Sequence, residues 1–374
     1  MQKFFNIKSI TITILATMLS LFSVAANSSE LLSKDWDDIV KQAKEEGKVV
    51  WYQWYFQPEF RKITKEFEKE YGIKVSIPDV ASYDSMQQKL LAESRRETGD
   101  IDVFSLGGDK FNSLDLGKVF FGPIFEKLPE KNALRTNING GKGMNYAVAF
   151  WGNQSGMAYN SDLIKSSDLP TALTLDRWIS DNPGGLGFNF TNGGSGPSFI
   201  QNMTRQISGR ELGPNDTGDA VDLNQVWDWF NGHRDNYIFT NGNADSLIRI
   251  NDGEFLIVPA WEDHLAGLQK KNVVGQHIKF YIPNWGMNGG GNAVAIPANA
   301  ENKAAAIVFI HWLTSAQTQT KFNTDFGSAP VNANADDSSA LVPNWQRVNQ
   351  RDWMNDGFFK KKLLNGFMEN VVQK

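Results

Sequence analysis

The sequence predicts an α/β protein of two lobes, and three observations carry that expectation. Between residues 48 and 106, apolar strand-like runs alternate with amphipathic helical stretches. At that spacing neighbouring strands run parallel and the helices cross over between them. Between Gly253 and Pro330, three further short apolar runs each meet a proline, at Pro259, Pro283 and Pro297, and two of the exits carry Trp261 and Trp285. A buried strand that stops at proline and hands over to an aromatic or Gly-rich loop builds the wall of a ligand cleft. Finally, about 348 residues follow the N-terminal leader, a length that suits about two folding units.

The leader occupies residues 1–26. Lys3 and Lys8 form a positive start, Ile10 to Val24 is apolar and uncharged, and Val24-Ala25-Ala26 is a small-residue cleavage site. An uncleaved anchor is the alternative, but the run is short against the roughly 20 residues a membrane span needs. Export and the absence of cysteine together point to the periplasm. Without cysteine there is no lipid-modified N-terminus, no thiolate metal site and no Cys nucleophile. The chain is long enough to build its core without such staples. The formal charge of −5 becomes −7 once the two leader lysines are gone, which argues against nucleic acid or anionic lipid as a partner.

The elements follow in order. Trp36, Ile39, Val40 and Ala43 mark one face of a helix over residues 35–44, closed by Gly47. Residues 48–52 form the first buried strand. Pro58 opens a helix carrying Phe60, Ile63, Phe67 and Tyr71, and Gly72 ends it. A strand over 73–77, a helix over 84–96 and a strand over 101–106 complete the unit. Residues 146–159 are extended, interrupted by Gly152 and Gly156. Residues 170–178 open a second unit. Phe188-Asn189-Phe190 leads to a Gly-rich turn and a helix started by Pro197, with another helix over 223–230, a polar loop over 238–243 and a helix over 244–250. Asn302 caps a helix over 303–314. Residues 336–374 are expected to be helical and packed across the back.

Several of these segments share an order and spacing with one family. The strand carrying Asp102-Val103-Phe104 after Gly99-Asp100, the run from Gly156 to Ile164 with its Tyr159-Asn160-Ser161-Asp162-Leu163 core, and the Gly253–Pro330 stretch resemble the family 1 extracellular solute-binding proteins, the periplasmic receptors of ABC importers. The resemblance covers the whole mature chain. It implies the type II periplasmic-binding-protein fold with two crossover strands at the hinge. Lobe one would hold residues 27–151 and 291–335, and lobe two residues 152–290, with residues 336–374 packed on the lobes. It further implies a monomer that captures a small solute between the lobes and delivers it to an inner-membrane permease driven by a cytoplasmic ATPase, with no cofactor and no bond made or broken.

The residues themselves offer little catalytic chemistry. There is no His-Glu-x-x-His pair, no Gly-x-Ser-x-Gly elbow and no phosphate loop, and the four histidines lie apart at 233, 264, 277 and 311. A secreted hydrolase on the same scaffold therefore stands behind a receptor. Iron-binding members of the broader fold that the chain resembles usually present adjacent Tyr ligands; no Tyr-Tyr pair is present here, which speaks against iron, and no metal site is expected. Trp54 and Tyr55 follow the first strand and suit a flat platform for a sugar, a ring or a cation, or simply a packed helix start. Asp84 reads as a helix cap with Gln87 completing a capping box, which leaves Ser82 and Tyr83 as contact candidates. Asp109 follows two glycines, where a turn aspartate is equally routine. Gly194 and Ser195 open a helix whose N–H groups suit an anion or a plain cap. Trp261-Glu262-Asp263 sets an aromatic face beside two carboxylates, one of which can cap the next helix. Trp151 and Trp285 lie on the two crossovers. Acidic and aromatic candidates recurring at strand ends favour an organic cation such as thiamine or a polyamine, with a carbohydrate as the alternative.

Overall fold

The structure, a computed structural model, describes residues 30–107, 110–111, 114–138, 141–289 and 291–374. The expected leader and Asp109 lie outside the described residues. Helix α1 (Trp36–Glu46) is capped by the Asp35 carboxylate and stopped by Gly47 in the left-handed region. It is followed by β1 (Lys48–Tyr52), α2 (Gln57–Tyr71), β2 (Lys74–Ser76), α3 (Tyr83–Glu93) and β3 (Val103–Gly107). A single turn α4 (Leu116–Val119), β4 (Phe120–Phe121) and β5 (Val148–Trp151) come next. The first sheet has the order β2-β1-β3-β11-β4, where β11 is Asn292–Pro297 and also pairs with β5. β1 is parallel to β2 and β3, while β11 runs antiparallel to β3, β4 and β5. Alternation along β11 sends Val294 and Ile296 into one core and Ala293 and Ala295 into the other, the mark of a sheet buried on both faces.

The chain passes to a second sheet with β6 (Ser155–Asn160), so the expected extended run over 146–159 is two strands, one in each sheet. There follow α5 (Leu175–Asp181), β7 (Leu186–Phe188), α6 (Ser195–Ser208), α7 (Leu223–Gly232), β8 (Tyr237–Phe239), α8 (Asn243–Asn251), β9 (Ile257–Trp261), α9 (Glu262–Lys270) and β10 (Ile278–Tyr281). The sheet order is β8-β7-β9-β6-β10. The chain then returns to the first sheet through β11 and closes that lobe's core with α10 (Lys303–Thr314) and α11 (Ala316–Phe326). Among the described residues no helix is long and apolar enough to cross a membrane.

Four local expectations are corrected. Residues 238 and 239, expected in a polar loop, belong to the edge strand β8, too short and too exposed to leave a periodic signal. β9 does not stop at Pro259 but runs through it to Trp261; β7 pairs with β9 only at Ile257, so the proline sits where one side of the strand has lost its neighbour. Asn302 does not cap α10 with its side chain, which donates to Asp102 instead. The N–H groups of Ala304 and Ala305 donate to the Glu46 carboxylate from α1. Lastly, the C-terminal segment does not simply lie across the back. Met354, Phe358, Leu363, Phe367 and Val371 are buried in the second sheet's core. Gln350-Arg351 pairs in parallel with Met287-Asn288, and Gly357–Val372 is a helical run with wide π-type turns.

Candidate ligand-binding site

A cleft of about 540 Å³ opens where strands of both sheets reach their carboxyl ends, a volume ordinary for small-molecule sites. Four parts of the chain line it. The turn after β1 supplies Trp54, Tyr55 and Phe56, while the two passages between the sheets supply Asn153, Gly291 and Asn292. The end of β9 supplies Trp261, the first turns of α8 and α9 supply Asn243, Asp263 and His264, and the C-terminal segment supplies Trp353, Met354, Asp356, Phe359 and Lys360.

The aromatic walls are braced by other rings. Trp54 meets Tyr55 and Tyr83 edge-on at centroid distances of 4.9 and 5.2 Å. Trp261 and Trp353 lie nearly parallel, 6.2 Å apart with an angle of 21°. The Tyr55 hydroxyl accepts a bond from Asn292 Nδ2 at 2.9 Å, and burial raises the phenol's pKa so that it stays protonated. Phe56 takes a left-handed backbone at φ 48° to turn the chain into α2, a strained conformation for a bulky residue. Gly291, at φ 73°, lets the return strand enter: a Cβ there would lie 1.6 Å from the Trp151 carbonyl oxygen.

Glu262 and Asp263 have opposite surroundings although they are adjacent. Successive residues on a helix point about 100° apart, and here that step decides each role. Glu262 is fully buried, and Arg347 donates to both of its oxygens at 2.9 and 3.2 Å. Asp263 is 5% exposed and faces the cleft. Trp151 Nε1 donates to its Oδ2 at 3.2 Å, and the His264 backbone and the Asn153 side chain also bond to it. Among the described residues no Lys or Arg pairs with it. Burial pushes the Asp263 carboxyl up to about 7, with the Glu262 charge adding to the rise against those three hydrogen bonds. Neither carboxylate serves as the side-chain cap of α9, which starts at Glu262 without one. His264, also lining the cleft, has its pKa lowered by burial and by Lys271.

Of the residues expected to contact ligand, the structure brings Trp54, Tyr55, Trp261 and Asp263 to this cleft. The others take supporting places. Ser82 rather than Asp84 caps α3, exchanging bonds with Ser85 in a capping box, and Tyr83 buttresses Trp54. Trp151 is buried in the first core, where its ring packs against Tyr55 and Phe56 from behind and its indole N–H donates to Asp263. Gly194 makes room for the Trp261 ring, which a Cβ would approach to 3.1 Å. Ser195 is buried, and its hydroxyl donates to Asn243 Oδ1 at 2.6 Å, orienting a residue that does line the cleft. Glu262 is consumed by Arg347. Trp285 is buried in the second core rather than stacking at the hinge. Residues 353–360 were not expected in the site at all. Their only local signal is an aromatic cluster, Trp353, Phe358 and Phe359, inside an otherwise polar tail.

The sequence pattern of the bacterial extracellular solute-binding proteins matches residues 62–349. No curated protein matches the chain in sequence. Several solved structures share its fold. The spermidine/putrescine ABC transporter substrate-binding protein PotD from Streptococcus pneumoniae superposes with a TM-score of 0.68 at 14% identity, covering 87% of this chain and 98% of that one. The periplasmic binding protein AfuA from Actinobacillus pleuropneumoniae, with fructose-6-phosphate bound, gives 0.59 at 17% identity over 88% and 99%. Iron-bound HitA from Pseudomonas aeruginosa gives 0.61 at 15% identity over 87% and 99%. With the matched region spanning most of the chain and the two-sheet fold shared, the protein belongs to the family of bacterial extracellular solute-binding proteins.

Proposed function

We propose that this protein is a periplasmic receptor for a small organic cation, which it delivers to an ABC permease. The supporting observation is Asp263: a buried carboxylate, aimed into an aromatic cleft, with no cationic partner among the described residues. An ionised carboxylate in such a place is costly, and an ammonium or azolium group supplies the missing charge. The surrounding Trp54, Tyr55, Trp261 and Trp353 suit the same guest, since aromatic faces attract cations. The two sheets with their helices act as the lobes, and ligand bridging Asp263 to Trp54 and Tyr55 favours their closed arrangement, which the permease then recognises. Capture and release need no bond-making step, and a monomer suffices.

A carbohydrate is the second reading, favoured by three amides around the cleft, Asn153, Asn243 and Asn292, beside stacking rings. Tryptophan fluorescence titration of the leaderless protein separates the two. Thiamine or amines are expected to change the emission at micromolar levels while neutral sugars do not. The reverse result refutes the cation reading.

A further inference from the structure

The two ends of an asparagine amide do opposite things: the oxygen accepts hydrogen bonds and the nitrogen donates them. A backbone N–H can only donate, so an amide that meets one has its sense fixed. Asn243 is fixed in this way from two sides. The Gly196 N–H donates to Asn189 Oδ1 at 3.1 Å. The Asn189 nitrogen therefore points away from it, donating to the Thr191 carbonyl at 2.8 Å and to Asn243 Oδ1 at 3.4 Å. The Ser195 N–H and hydroxyl meet the same Asn243 oxygen at 3.3 and 2.6 Å. Gly193 leaves the room this needs, since a Cβ there would lie 2.3 Å from Asn243 Cγ. The first N–H groups of α6 are thus spent on two side-chain oxygens.

With its oxygen committed, the open end of Asn243 is Nδ2 and its two hydrogens. Among the described residues nothing accepts from that nitrogen, and it is not sealed from solvent. Asn243 is half-buried and lines the cleft, so the donors are offered there. The other two amides of the cleft differ. Asn153 Oδ1 takes the Gln154 N–H at 2.8 Å, and its side chain also bonds Asp263. Asn292 bonds the Tyr55 hydroxyl, a group that can give or take a hydrogen, so that contact does not fix which end it shows. Resting on the cation reading of Asp263, we infer that Asn243 is a specificity-determining residue: the ligand is a cation that also carries a hydrogen-bond acceptor, a carbonyl, hydroxyl or ether oxygen or a ring nitrogen, and Asn243 Nδ2 donates to it. Fully protonated polyamines carry N–H donors and no acceptor. In this cleft they leave the Asn243 hydrogens unmatched and are disfavoured.

The test is isothermal titration of the leaderless protein at pH 8, above the pH at which Asp263 ionises. The probes are 3-acetyl-1-methylpyridinium and 3-ethyl-1-methylpyridinium, which share a ring and a fixed positive charge and differ by a carbonyl in place of a methylene. One neutral hydrogen bond predicts about three- to tenfold tighter binding of the acetyl probe. Asn243→Asp keeps an oxygen for Ser195 and turns an oxygen instead of N–H groups to the cleft, so the ratio should fall to about one or below. Comparing two probes of equal charge cancels the effect of the added carboxylate, and circular dichroism checks the fold. Asp263→Asn should weaken both probes together and keep the ratio. A wild-type ratio of about one or below, or a ratio that Asn243→Asp leaves unchanged, with both probes still weakened by Asp263→Asn, overturns the role of Asn243 and leaves the cation reading standing. Absence of binding by both probes, or binding of both that Asp263→Asn does not weaken, overturns the cation reading and the inference with it.

Discussion

Replacing Asp263 by asparagine should stabilise the empty protein and disable it as a cation receptor. Asparagine keeps an oxygen to accept from Trp151 Nε1 but removes the charge. In the folded chain burial holds the Asp263 carboxyl near 7, whereas in the unfolded chain it returns to about 3.9. Between those values the folded state binds a proton that the unfolded state has released, so stability falls as pH rises from about 4 to 7 and is flat above. About three units at 1.36 kcal/mol each make a loss on the order of 4 kcal/mol at pH 8. The variant lacks this loss. Urea unfolding at pH 4, 6, 7 and 8 should therefore show wild type and Asp263→Asn nearly equal at the acid end. The variant should become more stable by about 4 kcal/mol at pH 8, which for a chain of this size corresponds to roughly 5 °C in melting temperature. Cation affinity has the opposite profile. In wild type it should rise about tenfold per pH unit below 7 and level off above, because the ligand binds the ionised carboxylate; in the variant it should be weak and flat. Parallel stability curves across this range, or undiminished cation binding by the variant, would refute the reasoning.

Three further outcomes are expected. Trp151→Phe removes the donor to Asp263 Oδ2, so the pH at which cation affinity levels off should move above 7, readable from the same titrations. Arg347→Met strands Glu262 as an unpaired buried charge and should cost about 3–5 kcal/mol in urea unfolding, while the double replacement Glu262→Leu with Arg347→Met should recover most of it. Gly291→Ala combines a positive φ with a Cβ placed 1.6 Å from the Trp151 carbonyl oxygen, and a melting-temperature drop corresponding to at least about 2 kcal/mol should follow.

Short-range physics made much of this protein legible from its sequence. The stops at Gly47 and Gly72 and the apolar faces of α1 and α2 depend on neighbours within a turn or two, and each lies where the pattern puts it. The alternation of strand and helix set the α/β class and the parallel first unit, because crossover connections leave few other arrangements. Strand ends marked Trp54, Tyr55, Trp261 and Asp263, which the fold gathers at one cleft. What the sequence could not divide was the work of adjacent or distant residues. Glu262 and Asp263 look interchangeable on paper, and only Arg347, 85 residues away, takes one and leaves the other. Trp151 and Asp263 are 112 residues apart, yet their bond decides how the cleft carboxylate is held. Trp285 became core, and residues 353–360 became a cleft wall, through packing that no local period records. Secondary structure follows from the chain's own neighbours, whereas the charge state of a buried carboxylate depends on everything the tertiary fold brings against it or keeps away.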